Sequence, residues 1–183
     1  MQTTGGASLT GDAAPQATGG RRRVGVLLAV AATVIVLDQI SKIVAVATLQ
    51  DGTVVEVIDG ILELRLVRNP GAAFSFATQM TGLFTAIALA VIVVILRLSR
   101  RVTSLPWAIA FGGLLGGAVG NLLDRVLREP APFRGHVVDF LELPNWPVFN
   151  LADSVIVASA ILMAWLSLRG VPYDGPEGSQ EER

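Results

Sequence analysis

Arg21-Arg22-Arg23 runs straight into Val24-Gly-Val-Leu-Leu-Ala-Val-Ala-Ala-Thr-Val-Ile-Val-Leu-Asp-Gln-Ile-Ser-Lys-Ile-Val-Ala-Val-Ala-Thr-Leu49. This apolar run exceeds the ~20 residues that an α-helix needs to cross a bilayer, and the arginines ahead of it mark a cytoplasmic start. A cleavable signal peptide would share the basic start and the Ala45-Val46-Ala47 end. Asp38 and Lys42 interrupt the run, however, and further apolar runs follow, so it reads as the first of several spans.

Those further runs cover residues 82–98, 107–127 and 149–168, each near spanning length. The expected fold is therefore an all-α membrane protein, a four-transmembrane-helix bundle. Composition agrees: 52% of the 183 residues are hydrophobic and 16% charged, with a mean hydropathy of +0.60. So short a chain has no room for a large soluble domain beside four spans. Residues 1–23, rich in Gly, Ala and Thr, are expected to be a disordered tail. Residues 24–169 form the membrane domain, with outer loops at 50–81 and 128–148, and 170–183 form a second disordered tail. Arg21, Arg22, Arg23, Arg97, Arg100, Arg101 and Arg169 fall on one side of this arrangement and Arg65, Arg68, Arg125, Arg128 and Arg134 on the other. The excess places both termini in the cytoplasm.

In the first outer loop, Thr53-Val-Val-Glu-Val-Ile58 and Ile61-Leu-Glu-Leu-Arg-Leu-Val67 flank Asp59-Gly60. Two β-rich runs joined by Asp-Gly predict a hairpin closed by a type I′ turn, with Leu62, Leu64 and Leu66 on one face. The second outer loop carries Pro130, Pro132, Pro144 and Pro147 with Phe133, Phe140 and Trp146, which limits helix and suits a membrane interface.

The chain has no cysteine, which excludes disulfides and a thiol nucleophile, and its one histidine, His136, cannot supply a two-histidine zinc helix. No cofactor or metal is expected, the net charge of -1 gives no sign of a nucleic-acid partner, and hydrolytic chemistry falls to carboxylates.

Charges inside spans are costly, so each needs a reason. Asp38 and Lys42 lie one turn apart on one face of the first span, as a neutralising pair that orients the helix. Ser41 beside Lys42 suggests a Ser/Lys dyad only weakly, because adjacent helical residues point ~100° apart. Asp124 sits near the outer end of the third span and Asp153 in the first turns of the fourth, so span order alone brings them to the same depth. Each follows an asparagine by three residues, Asn121 and Asn150, spaced to share a helix face and aim the carboxylate. Either aspartate alone reads first as an interface residue, or for Asp153 a partner of the helix dipole. Together, two carboxylates in a low dielectric share a proton, so one can activate a water while the other polarises a peptide carbonyl. The rival reading is a small proton- or ion-coupled transporter, which also uses paired carboxylates; the apolar inner halves of the second and fourth spans count against it. Gly112, Gly116 and Gly120, with Gly113 and Gly117 beside them, repeat a spacing that allows close helix contact.

Asp38-Gln-Ile-Ser-Lys42, Asn69-Pro-Gly-Ala-Ala-Phe74, Gly117-Ala-Val-Gly-Asn-Leu-Leu-Asp-Arg125, Val138-Asp-Phe140 and Phe149-Asn-Leu-Ala-Asp153 resemble, in order, the motifs of bacterial lipoprotein signal peptidases. The resemblance covers 24–168. It implies a small extracytoplasmic β cradle on the bundle, in the inner membrane. It also implies a monomeric aspartic endopeptidase that cuts the signal peptide from diacylglyceryl prolipoproteins before the lipidated cysteine, among membrane lipid and without a cofactor. Carried over by position, Asp124 and Asp153 match the catalytic pair. Asn69, Gly71, Asn121, Arg125, Asn150 and Ala152 match supporting or substrate-binding positions, and Asp38 and Lys42 a structural pair. The long N-terminal tail and the length of the second outer loop depart from that pattern.

Overall fold

A computed structural model describes residues 17–71 and 81–174 of the chain. Residues 1–16 and 175–183 of the expected tails (1–23 and 170–183), and the Ala72-Ala73-Phe74 part of the Asn69 motif, lie outside the described residues. Four helices and a three-stranded sheet follow one another: α1 (Ala17–Leu49), β1 (Val54–Ile58), β2 (Leu62–Asn69), α2 (Thr81–Ser99), α3 (Leu105–Leu127), β3 (Val137–Glu142) and α4 (Leu151–Leu168). Among the described residues, three helical stretches are long and apolar enough to cross a membrane, Arg23–Gly52, Leu105–Leu127 and Leu151–Leu168, and α2 adds a shorter apolar segment, Thr85–Ser99.

Helix α1 starts at Ala17, before the apolar run. Extending an existing helix costs little, arginine is a good helix former, and Arg23 Nε donates to Thr103 O at 3.0 Å. Leu27, Ala31, Asp38, Lys42, Ala45 and Leu49 are its buried positions, a stripe at helical spacing. Val36, Leu37, Ile40, Ile43 and Val44 on the opposite side are exposed, as lipid-facing residues would be.

Helix α3 is the centre of the bundle, packed against α1, α2 and α4. Its glycines serve two neighbours. A Cβ on Gly112 or Gly116 would sit 2.7 Å from Leu27 O or 2.8 Å from Ala31 O of α1. On Gly117 it would sit 2.7 Å from Ala152 O of α4. Missing side chains thus let three backbones approach. Ser104 and Pro106 start α3 two residues before the expected Trp107. Helix α4 starts later than expected: Asn150 is its N-cap in a capping box with Asp153, so the two are joined by reciprocal backbone bonds rather than by sharing a helical face.

The sheet has the order β1-β2-β3, all antiparallel. The expected hairpin is present with a different turn. Only Gly60 (φ 64°) is left-handed, Ile61 N–H donates to Ile58 O at 2.9 Å, and Ile58 pairs with Leu62 across a three-residue loop. Asp59 keeps an ordinary φ, so the turn is not type I′. Strand β3 lies in the second outer loop, where the prolines limit helix. They flank the strand without entering it: Pro132 stands before Val137 and Pro144 after Glu142, leaving Val-Val-Asp-Phe-Leu-Glu to pair with β2. Val138 and Phe140 pack with Ala45 and Leu49 beneath the sheet.

Candidate active site

The polar side chains converge where α1, α3, the start of α4 and β3 meet. Asp38, Lys42, Asp124, Asp139 and Asn150 are each no more than 2% exposed. Burial of this many polar groups is stable only if each has partners.

Asp124 is fully engaged. Its Oδ2 lies 2.9 Å from Lys42 Nζ and accepts from the Val138 N–H at 3.1 Å. Its Oδ1 lies 2.6 Å from Arg128 Nε and accepts from Gln39 Nε2 at 3.4 Å. Both oxygens are occupied and the residue is 1% exposed, which leaves no lone pair for a reacting water. Through these contacts Asp124 ties α1, α3 and β3 together.

Asp153 has another neighbour. Its Oδ1 accepts from Asn121 Nδ2 at 2.8 Å and its Oδ2 from the Asn150 N–H at 3.2 Å. Asn150 Nδ2 also donates to Asp139 Oδ1 at 2.6 Å, so one residue touches both carboxylates. Asp139 Oδ2 accepts from Asn69 Nδ2 at 2.8 Å, and Asn69 Oδ1 is fixed by the Gly71 N–H at 2.8 Å. Gly71 at φ 120° makes that tight return of the chain possible. Burial, then the charge of Asp153, pushes the Asp139 carboxyl up to about 6, against the opposing pull of the Asn69 and Asn150 hydrogen bonds and of Lys42. Arg125 lies within electrostatic reach of Asp139, Asp124 and Asp153.

The remaining expected residues all reach this cluster. Asn121 Oδ1 accepts from Lys42 Nζ at 2.9 Å and from Asn150 Nδ2 at 3.1 Å, which turns its amide nitrogen toward Asp153. The Ala152 N–H donates to Asp38 Oδ1 at 3.1 Å, and Lys42 is 2.8 Å from Asp38 Oδ2. Asp139, quoted in the sequence only within the Val138-Asp-Phe140 motif, also joins this cluster. The signal was a lone carboxylate in an apolar β-rich run, where the period of two sets it apart from Val138 and Phe140.

A family model described as Signal peptidase (SPase) II matches residues 30–169. The chain belongs to this family. A lipoprotein signal peptidase of Streptomyces coelicolor is 53% identical over 162 residues, 88% of this chain and 79% of that protein. One of Streptomyces griseus is 49% identical over 173 residues, 94% of this chain and 88% of that protein. A solved bacterial membrane enzyme superposes with a TM-score of 0.69 at 27% identity, covering 87% of this chain and 92% of that one. The expected class therefore stands: the chain is a membrane protease of the signal peptidase II family.

Proposed function

We propose that the chain removes the signal peptide from diacylglyceryl prolipoproteins, cutting before the lipidated cysteine, and that Asp139 and Asp153 are its working pair. The observation that carries the pair is Asn150, which donates to Asp139 through its side chain and to Asp153 through its backbone while Asp124 is held by Lys42 and Arg128. With one proton shared between them, the ionised carboxylate takes a proton from water as its oxygen attacks the scissile carbonyl. The protonated carboxyl donates to the carbonyl oxygen. The tetrahedral intermediate then collapses, the C–N bond breaks, and the amine leaves with the proton first taken from water. Asn69, Asn121 and Asn150 hold the carboxylates, and Arg125 supplies positive charge beside them.

In this reading α2 is a fourth crossing, so the four helices span the inner membrane with both termini in the cytoplasm. The arginine excess at that end supports the orientation. The sheet and the aspartates then lie near the outer face, where a monomer meets its lipid-anchored substrate. The test is cleavage of a purified diacylglyceryl prolipoprotein in detergent by wild type and by Asp139→Asn, Asp153→Asn and Asp124→Asn. Loss of cleavage in the first two with residual cleavage in the third is expected. Cleavage by Asp139→Asn with none by Asp124→Asn would return the role to Asp124.

A further inference from the structure

Asp38 and Asp124 do the same thing to two different segments. Asp38 Oδ1 accepts from the N–H of Ala152, the residue before Asp153, at 3.1 Å. Asp124 Oδ2 accepts from the N–H of Val138, the residue before Asp139, also at 3.1 Å. One ammonium joins these two carboxylates, since Lys42 Nζ lies 2.8 Å from Asp38 Oδ2 and 2.9 Å from Asp124 Oδ2. Its third donation, at 2.9 Å, goes to Asn121 Oδ1 and leaves the Asn121 amide nitrogen facing Asp153. An ammonium has three protons, and here each has an acceptor.

We propose that Lys42 is a positioning residue whose ammonium sets the separation of Asp139 and Asp153, by clamping the two carboxylates that grip the peptide N–H before each of them. The inference rests on the assignment of Asp139 and Asp153 as the working pair. An ion pair that merely orients α1 needs only Lys42 and Asp38. It has no use for the bond to Asp124 or for the two backbone grips. Without the ammonium, two buried anions face each other in a low dielectric and repel, and each carries its segment with it. Strand β3 and helix α4 then drift apart, and a water that one carboxylate activates is no longer in line with the carbonyl that the other polarises.

The test uses the full chain in detergent with a diacylglyceryl prolipoprotein. The main variant combines Lys42→Met with Asp38→Asn, which removes one charge of each sign and leaves Asp124 with Arg128. Asp38→Asn alone is the milder companion, keeping an acceptor for the Ala152 N–H and the Lys42 to Asp124 pair. Asp139→Asn and Asp153→Asn are the controls. We expect the double variant to melt close to wild type and to keep its KM, while kcat falls about 100-fold, as a misplacement of ~1 Å does. Asp38→Asn should lie between the double variant and wild type. Unchanged kcat in the folded double variant overturns the proposal. Failure of both Asp38 variants to fold while the controls fold also overturns it, because the trio would then be a stability element only. Cleavage by either control overturns the pair assignment itself, and this is seen independently of Lys42.

Discussion

The same three helices meet in two different ways at their two ends. Toward the start of α1, contact runs through Leu27, Ala31, Phe111, Leu115 and Leu166, with glycines of α3 against the α1 backbone. Toward its end, contact runs through Asp38, Lys42, Asn121, Asp124 and Asn150. In lipid the hydrophobic effect contributes little to the apolar half, because acyl chains are as apolar as leucine, so that half depends on close van der Waals packing. The polar half gains from the same low dielectric, which strengthens every satisfied pair and penalises every broken one. One half can therefore be altered gradually; the other fails abruptly.

The largest effect should come from the carboxylates that the polar half holds. Asp139→Asn or Asp153→Asn is expected to lower kcat by about 10³-fold or more, in the upper part of the range for a general acid or base, with little change in melting temperature. Next comes Asp124→Ala, which leaves Lys42 and Arg128 short of a partner at a site 1% exposed. Breaking a buried pair in this way costs ~3–5 kcal/mol, and thermal unfolding in detergent should show it as the largest loss of stability among single truncations in the bundle.

The pH profile tests the polar half without mutation. The Asp139 carboxyl is raised to about 6, so the pair keeps its shared proton below that pH and loses it above. The value of kcat/KM should therefore fall as pH rises through about 6. The stability contribution has the same sign. It is fully present below the unfolded carboxyl value of ~3.9 and is lost as pH rises through about 6, because the folded state binds this proton more tightly than the unfolded one. A profile flat across this window would show that Asp139 does not carry the proton.

The apolar half should respond mildly. Leu166, 1% exposed, packs in the cluster with Phe111 and Leu115. Leu166→Ala should cost about 1–3 kcal/mol, because only the cavity part of the usual core penalty survives in lipid, and kcat should be unchanged. A fall in kcat as large as that of Asp139→Asn would erase the distinction between the halves.

That distinction also explains what the sequence revealed. Helices and close-packing glycines follow local spacing, so 82–98 and 107–127 lie within two residues of the ends of α2 and α3, and Gly112, Gly116 and Gly117 meet neighbouring backbones. Asp124 and Asp153 both reach the cluster, as do the motif residues Asn69, Asn121, Asn150 and Ala152. How each carboxylate is engaged is a matter of nonlocal partners. Asp124 is engaged by Lys42, 82 positions earlier in the chain, and by Val138 of a strand for which the second outer loop gave no reading. Asn150 was placed inside a helix because Asn-x-x-Asp fits both a helical face and a capping box, and only the backbone conformation at Asn150 (φ -132°, ψ -176°) separates them.

The smallest effect should be found at the rim of the polar half, where water enters. Arg65 Nη2 lies 2.6 Å from Glu142 Oε1, a contact as short as Arg128 to Asp124, yet the side chains are 47% and 26% exposed. Glu142 also pairs directly across the sheet with Glu63, which pairs with Glu56, so Arg65 offsets repulsion in a row of three carboxylates. Solvent screening limits an exposed pair to ~0.2–1 kcal/mol, so Arg65→Ala should shift the melting temperature slightly and the shift should vanish at high salt. The loss in Asp124→Ala should persist there, because ions cannot reach a buried pair. Equal salt sensitivity of the two variants would mean that distance, rather than burial, sets the strength of these contacts.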